Sequence, residues 1–549
     1  MTTLETGTTR TTGATRAGTR LSPRWSSLRV WPTASIVGAL AMVVTWLGSW
    51  NPSYWGDEAA TVMSADRPIG TLLAELRNVD AVHGLYYLLM HFWIGLFGTS
   101  ELSTRAPSAI AVGALVAGTV VLGARLAGLR FGILAGMVCA ILPRTTFLAT
   151  EARSYAMGTA IAVWVTVYFV GLLRRRETRT RPWLVLGALV GLASYLFLYL
   201  VLLAVVHGVV LITSTGGRRH LSLWVRSLLV TCALAAPIAL LAYLERGQLA
   251  FLAIRGYATP ANVIVSQWFG DFKAGGNVIV PILGWSLMAL AVVTVIVLTV
   301  RHSPHAVLEN RSSDRDTVRL GLAWLVVPTA LLLAGNAWVS PVYNVRYLSF
   351  STPAVALLIA VGLLAAGRLA ARAVARFDIV RRAAGGVPTR RATMAVTAVL
   401  LLALGAAALP GYLAQRGPYA KNGGSDWRQV ADYIQANASE GDAVIFDPTT
   451  KPSQRPELAY RLYPQQFAAV DAVAVQTPYY DRPHLWDVVA PLADVRGELA
   501  RSTSVWALEL PVGNEVPEDI ADLTAHGYRV VSSHLVHRIV VYQLHKENS

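Results

Sequence analysis

Along most of the chain, apolar runs alternate with short polar intervals, and the runs have the length a helix needs to cross a bilayer, about 17 to 25 residues for about 30 Å of hydrocarbon. They predict crossings near 33–50, 106–127, 131–148, 154–173, 223–243, 278–300, 320–338, 347–368 and 393–413. The run 183–213 is flanked on both sides by arginines, at Arg174–Arg181 and Arg218–Arg226. Arginine-rich loops stay on one face of a membrane, so this run predicts a tight pair turning near Ser194–Tyr199. About 11 transmembrane helices result. The aromatic-rich stretch Gly84–Gly98 is short for a span. If it crossed, the basic loops at Arg125–Arg130 and Arg174–Arg181 would fall on opposite faces, so it is expected to lie in the interface.

After Pro410 the hydropathy falls. Residues 414–549 carry 17 acidic and 12 basic side chains, the balance expected of an exported domain. Asp426–Ala436 has helical spacing, and Ala443–Phe446, Ala468–Val475, Ser504–Leu508 and Ile539–Leu544 read as short strands. The expected organisation is a disordered basic cytoplasmic arm at 1–30, a transmembrane domain at 31–413 with its first external loop at 51–105, and a small extracytoplasmic α/β domain at 414–549.

Composition agrees with a lipid solvent: of 549 residues, 54% are hydrophobic and 14% charged. Mean hydropathy is +0.47. The net charge of +15 invites a polyanion reading, but the basic residues cluster before the first span and in the loops at 174–181, 218–226 and 368–391. Membrane topology therefore accounts for them, and nucleic acid is not expected as a partner. Cys139 and Cys232 fall in different apolar runs, so neither a disulfide framework nor a thiolate metal site is implied.

The polar residues that could carry chemistry lie at span ends. Asp57 and Glu58 follow the first span directly, where carboxylates are either functional or cap the next helix. Asp80 and His83 come later in the same loop, with Tyr86, Tyr87 and His91 in the aromatic stretch. His83 is the better candidate, and His91 is expected to pack. The next external turn holds Arg144, then Glu151, Arg153 and Tyr155. Guanidinium groups bind phosphate bidentately, although Arg and Tyr also anchor helices at interfaces. Arg346 and Tyr347 sit in a turn whose arginine has no acidic neighbour in sequence, and a ligand phosphate would balance it. Under the arginine-derived topology all of these share one face.

The pattern resembles the membrane glycosyltransferases of the GT-C superfold, in particular the branch with protein O-mannosyltransferases and the aminoarabinose transferase of lipid A. The resemblance rests on Asp57-Glu58, the run His83-Gly84-Leu85-Tyr86-Tyr87, Arg105-Ala106-Pro107-Ser108, Glu151-Ala152-Arg153-Ser154-Tyr155, and Arg346-Tyr347 with Pro353. It covers roughly residues 30 to 370. Many relatives have His-Pro-Pro-Leu where this chain has His83-Gly84-Leu85-Tyr86. The resemblance implies transfer of mannose or a pentose from a polyprenyl-phosphate sugar to an envelope glycan, lipid or protein acceptor, with inversion. It implies Asp57 as base, Glu58 assisting or orienting the acceptor, and Arg153 and Arg346 on the donor phosphate. A monophosphate donor needs no divalent metal, and no visible motif asks for one. The competing expectations are a transporter or lipid flippase, which places charges at mid-bilayer and repeats its halves, and a non-catalytic assembly protein.

Overall fold

The structure is a computed structural model that describes residues 23–270, 276–300, 311–376, 389–511, 513 and 515–547. The first helix, α1 (Pro23–Trp46), leads into a polar stretch containing α2 (Gly56–Asp66) and α3 (Gly84–Phe97). Then come α4 (Glu101–Ala127), α5 (Leu129–Ile141), α6 (Tyr155–Arg174), α7 (Thr180–Ala193), α8 (Leu202–Thr213) and α9 (Leu221–Leu244). The apolar set closes with α10 (Ile279–Val300), α11 (Arg311–Trp338), α12 (Thr352–Arg376) and α13 (Thr389–Ala414). Eight of these are long and apolar enough to cross a membrane, and α5, α7 and α8 are shorter apolar helices among them. The chain is a multi-pass membrane protein. Of the expected disordered arm at 1–30, residues 1–22 lie outside the described residues, whereas 23–30 are helical, because the first turns of α1 continue the apolar span backwards.

Contacts sort the helix ends into two groups. At one end, the Arg105 guanidinium near the start of α4 donates to the carbonyls of Ser49 and Pro52 just after α1, at 2.7 and 2.8 Å. At the other end, Arg174 at the close of α6 donates to the Leu126 carbonyl at 3.2 Å, and Arg368 of α12 pairs with Asp314 of α11 at 3.3 Å. Small residues let the helices meet closely: a Cβ at Gly38 of α1 would stand 2.6 Å from the Gly113 carbonyl oxygen of α4. The α3 helix is about 21 Å long at 1.5 Å per residue. Its His91 Nδ1 donates to the Ala65 carbonyl, and its Trp93 indole donates to Ser103 at the start of α4. These bonds tie it to the end of α2 and the start of α4.

One predicted span is shorter than expected. The run 131–148 breaks at Leu142, whose backbone is extended (φ −60°, ψ 131°), and a separate short helix, Pro143–Leu148, follows. Proline has no N–H to continue the helical ladder and its ring forces the preceding residue out of the helical region. The predicted turn within 183–213 is present, between α7 and α8, with one 3-10 turn at Leu198–Val201.

The C-terminal segment opens with α14 (Trp427–Asn437) and carries β1 (Asp442–Phe446), β2 (Val470–Asp471), β3 (Val475–Thr477), β4 (Val488–Val489), β5 (Ser504–Glu509), β6 (Tyr528–Leu535) and β7 (Val540–Lys546). Five strands form one sheet in the order β2-β1-β5-β7-β6, and β3 and β4 form a separate pair. The pairs β2/β1 and β1/β5 are parallel, and β5/β7 and β7/β6 antiparallel. Strands β1 and β5 are buried throughout and read as continuous apolar runs. Of the expected strand 468–475 only Val470–Asp471 and Val475 pair, in different sheets. Edge strand β6 is mostly exposed, and its apolar residues do not alternate with polar ones, so it has no period-two pattern to announce it. Asp442 and Asp447 serve local structure: Asp442 Oδ2 accepts from the Trp506 indole and the Ser439 N–H, and Asp447 Oδ1 from the Thr449 N–H and hydroxyl.

This sheet shares a hydrophobic core with the first loop. Tyr54, Ala59, Val62 and Met63, on and before α2, pack with Val430, Leu458, Phe467 and Ile539. The fit is close at the start of α2, where a Cβ on Gly56 would fall 2.3 Å from the Ser453 carbonyl oxygen. A polar clamp flanks it: Arg428 Nε and the Tyr463 hydroxyl both donate to Glu101 Oε1, at 2.9 and 2.6 Å. Asp426 holds the far side of the sheet, its Oδ2 accepting the backbone N–H of His537, Arg538 and Ile539. Replacing Asp426 by Ala removes the acceptor from three N–H groups. We expect a local loss of about 2–4 kcal/mol, read as faster amide hydrogen exchange at residues 537–539 than in the wild type.

Candidate functional site

Asp57 and Glu58 both occupy the first turn of α2, where carboxylates favour the helix dipole, yet their environments are opposite. The Glu58 side chain is fully buried and Asp57 is 39% exposed. Glu58 meets Arg105 side-on, Nε to Oε1 at 2.8 Å and Nη2 to Oε2 at 2.6 Å, and Oε1 also accepts the Ala152 N–H at 2.9 Å. Burial alone would raise the Glu58 carboxyl, but the Arg105 charge and hydrogen bonds hold it below the usual carboxylate range. Both Glu58 oxygens are therefore engaged in joining α2, α4 and the turn before α6, which is an architectural duty rather than the acceptor-orienting one the resemblance implies.

Asp57 faces a different partner. Arg346 Nη1 lies 2.8 Å from Asp57 Oδ2 and 3.9 Å from Glu151 Oε1. Arg346 is set by its turn, where Asn344 Oδ1 accepts the Arg346 N–H at 3.1 Å. Its guanidinium also lies over the Trp55 ring at 4.4 Å. Lys421, in the segment after α13, brings Nζ to 3.9 Å from the same Glu151 oxygen and donates to Thr150 Oγ1 at 3.0 Å. The result is a row of alternating charge, Asp57, Arg346, Glu151 and Lys421. Glu151 is almost fully buried, and among the described residues neither of its oxygens accepts a hydrogen bond. Burial raises the Glu151 carboxyl against the pull of Lys421 and Arg346. Burial also pushes the Lys421 ammonium down to about 8, although Glu151 and Glu58 pull the other way.

The remaining predicted residues divide. Arg153 donates to the Asp57 carbonyl (3.0 Å), to Thr61 Oγ1 (3.2 Å) and to His83 Nε2 (2.9 Å), so it ties α2 and the α3 entry to the start of α6. That bond makes His83 Nε2 the acceptor, and burial together with the Arg153 charge holds His83 well below its ordinary pKa, neutral. Asp80, in the left-handed region at φ 58°, accepts from the Tyr87 hydroxyl at 2.8 Å. A cleft of about 620 Å³ opens there, lined by Asp80, His83, Phe197, Tyr199, Glu245 and Tyr347. Tyr347 stacks on Tyr199 with centroids 4.9 Å apart, and Tyr155 stands 6.4 Å from Tyr347. Arg144 is drawn elsewhere, donating to the carbonyls of Ser266 and Gln267. Among the described residues, no group of three or more His, Cys, Asp or Glu side chains is disposed to hold a metal ion.

Two members of this constellation were not assigned a role from sequence. Lys421 is one of four lysines in the chain and stands directly before Asn422-Gly423-Gly424, a local signal that a rare cation is being placed at a turn. Arg105 stands in one of the motifs that carry the resemblance, but nothing local names its partner, which lies 47 residues away. Removing one partner of a buried ion pair leaves an uncompensated charge. We expect Glu58→Ala or Arg105→Ala alone to destabilise the protein by about 3–5 kcal/mol, and the double replacement Glu58→Leu with Arg105→Met to recover most of it. Thermal unfolding of the detergent-solubilised protein measures both.

No protein-family model matches the chain, and no curated protein does. Solved structures do. ArnT from Cupriavidus metallidurans bound to undecaprenyl phosphate matches with a TM-score of 0.50 at 15% identity, over 92% of this chain and 97% of that one. The apo form of the same protein gives 0.49 at 15% identity, again over 92% and 97%. The Archaeoglobus fulgidus oligosaccharyltransferase with Zn and sulfate gives 0.42 at 12% identity, over 85% of this chain and 67% of that one. At this level of identity the ArnT match speaks for architecture: the chain has the GT-C-like fold that its sequence motifs resemble.

Proposed function

We propose that the protein is a glycosyltransferase that moves a sugar, mannose or a pentose, from a polyprenyl-phosphate donor to an envelope glycan, lipid or protein acceptor. The observation that carries the reading is the alternating row of charges, in which Arg346 and Lys421 flank a buried carboxylate that accepts no hydrogen bond from the described residues. Two cations beside such a group suit the donor's phosphodiester and the polyprenyl phosphate that leaves it, and the aromatic cleft next to them suits a sugar ring and the first isoprene units. A solved structure of the same fold, ArnT, is bound to undecaprenyl phosphate. In our reading the donor phosphate draws Arg346 from Asp57, which frees the carboxylate to take the proton of the acceptor hydroxyl. The acceptor oxygen then bonds to the anomeric carbon as the bond from that carbon to the phosphate oxygen breaks, with inversion, and polyprenyl phosphate departs. The site belongs to the end opposite the arginine clusters, so we assign it, with the 414–549 domain, to the extracytoplasmic face. That domain, packed over α2, orients the acceptor.

The direct test is incubation of the purified protein with labelled polyprenyl-phosphate mannose or pentose and a membrane extract, without nucleotide sugar. Labelled product is expected, and Asp57→Asn is expected to reduce its rate by about 10²–10⁴-fold while the variant elutes and melts like the wild type. Absence of transfer from every carrier, with movement of the intact lipid between leaflets, would instead identify a flippase. The Lys421 ammonium is charged below about pH 8 and neutral above it, so kcat/KM should fall as pH rises through that value. Lys421→Arg, whose guanidinium stays charged, should remove that alkaline limb.

A further inference from the structure

The end of the bundle opposite Asp57 holds a second cavity, open to solvent and about 1120 Å³ in volume. Arginines reach it from three separate places in the chain: Arg174 and Arg176 where α6 ends, Arg219 between α8 and α9, and Arg319 on α11. Among the described residues, one lining carboxylate faces these four cations, Asp316, which is paired with Arg319 at 2.7 Å. The wall between them is apolar, with Leu126, Val170, Val210 and Leu320. Membrane topology requires only that arginines lie near these helix ends. It does not require that they converge on one hollow.

Two further features point to an anion. His220 lines the cavity, is 2% exposed, and stacks on Trp183 with centroids 5.5 Å apart. Arg219 Nε donates to His220 Nε2 at 3.1 Å, which makes that nitrogen the acceptor and leaves the hydrogen on Nδ1. Nδ1 is buried and has no hydrogen-bond partner among the described residues, so a buried donor awaits an acceptor. Arg176 adopts φ 51°, the left-handed conformation that the end of a helix ordinarily gives to glycine. This backbone places the Arg176 side chain on the cavity wall.

We propose that this cavity binds the phosphate headgroup of an anionic bilayer lipid, with guanidinium groups and the His220 Nδ1–H on phosphate oxygens and the acyl chains along the apolar wall. The experiment is native mass spectrometry of the full chain released from nanodiscs containing equal amounts of cardiolipin and phosphatidylcholine. Wild-type protein should retain cardiolipin over phosphatidylcholine by about tenfold or more. Arg174→Ala with Arg219→Ala should lose that preference. Arg176→Gln, an exposed change that leaves the packing intact, should weaken it by about fivefold, roughly one screened charge. Asp57→Asn, at the other end, should keep it. Equal retention of the two lipids by the wild type, or an unchanged preference in both arginine variants, would overturn the proposal. Displacement of the bound lipid by millimolar inorganic phosphate would do so too, by making the free ion the occupant.

Discussion

The Glu58–Arg105 ion pair is the constraint on which the rest of the site depends. Two charges removed from water at the end of a bilayer are tolerated only when each satisfies the other and the remaining donors find carbonyls. Arg105 does this with five hydrogen bonds, to both Glu58 oxygens and to the carbonyls of Ser49, Pro52 and Ser53. The end of α1, the start of α4 and the first turn of α2 are thereby fixed at one point. Because Glu58 must point inward, the side chain one residue earlier on the helix turns away from it, and Asp57 is presented to the space where Arg346 arrives. Adjacent carboxylates thus divide into one that builds and one that is available for chemistry.

A second layer holds α2 from above. The C-terminal sheet contributes no residue to the first contact of Asp57, but its core continues through Tyr54, Ala59, Val62 and Met63 of the loop. The connection into that sheet delivers Lys421 beside Glu151. Membrane helices and sheet are in this sense one mechanical unit around the acid row, with Arg153 as the cross-tie between the loop after α1 and the start of α6. The electrostatics follow from that packing. Glu151 and Lys421 are both perturbed chiefly by burial and only secondarily by each other, which is the condition under which a ligand's charge has the largest effect.

Much of this was legible in the sequence, for physical reasons that differ by residue. The crossings were readable because a bilayer imposes a length on apolar runs, and the parity argument from arginine loops placed Asp57, Glu151 and Arg346 on one face although 94 and 195 residues separate neighbours along the chain. What the pattern could not carry was pairing. Nothing local to Arg346 names Asp57 as its partner, nothing local to Glu58 names Arg105, and the division of labour between Asp57 and Glu58 is a property of burial, which adjacent identical charges do not reveal. The helix break at Leu142 was available from Pro143 and was masked by the apolar run continuing through Phe147 and Leu148. Strand β6 lacked a pattern because it has little to bury.

The position of Lys421 bears on when the protein becomes competent. Ribosomes make the spans first and the sheet last, and the helix carrying Asp57 leaves the ribosome more than 350 residues before the lysine that completes the row. A nascent chain whose spans are already inserted holds a carboxylate loop with neither its final cation nor the apolar cover over α2. Until the segment after α13 has been made and the sheet has docked on α2, such a chain carries an incomplete row of charges at the end of its helices.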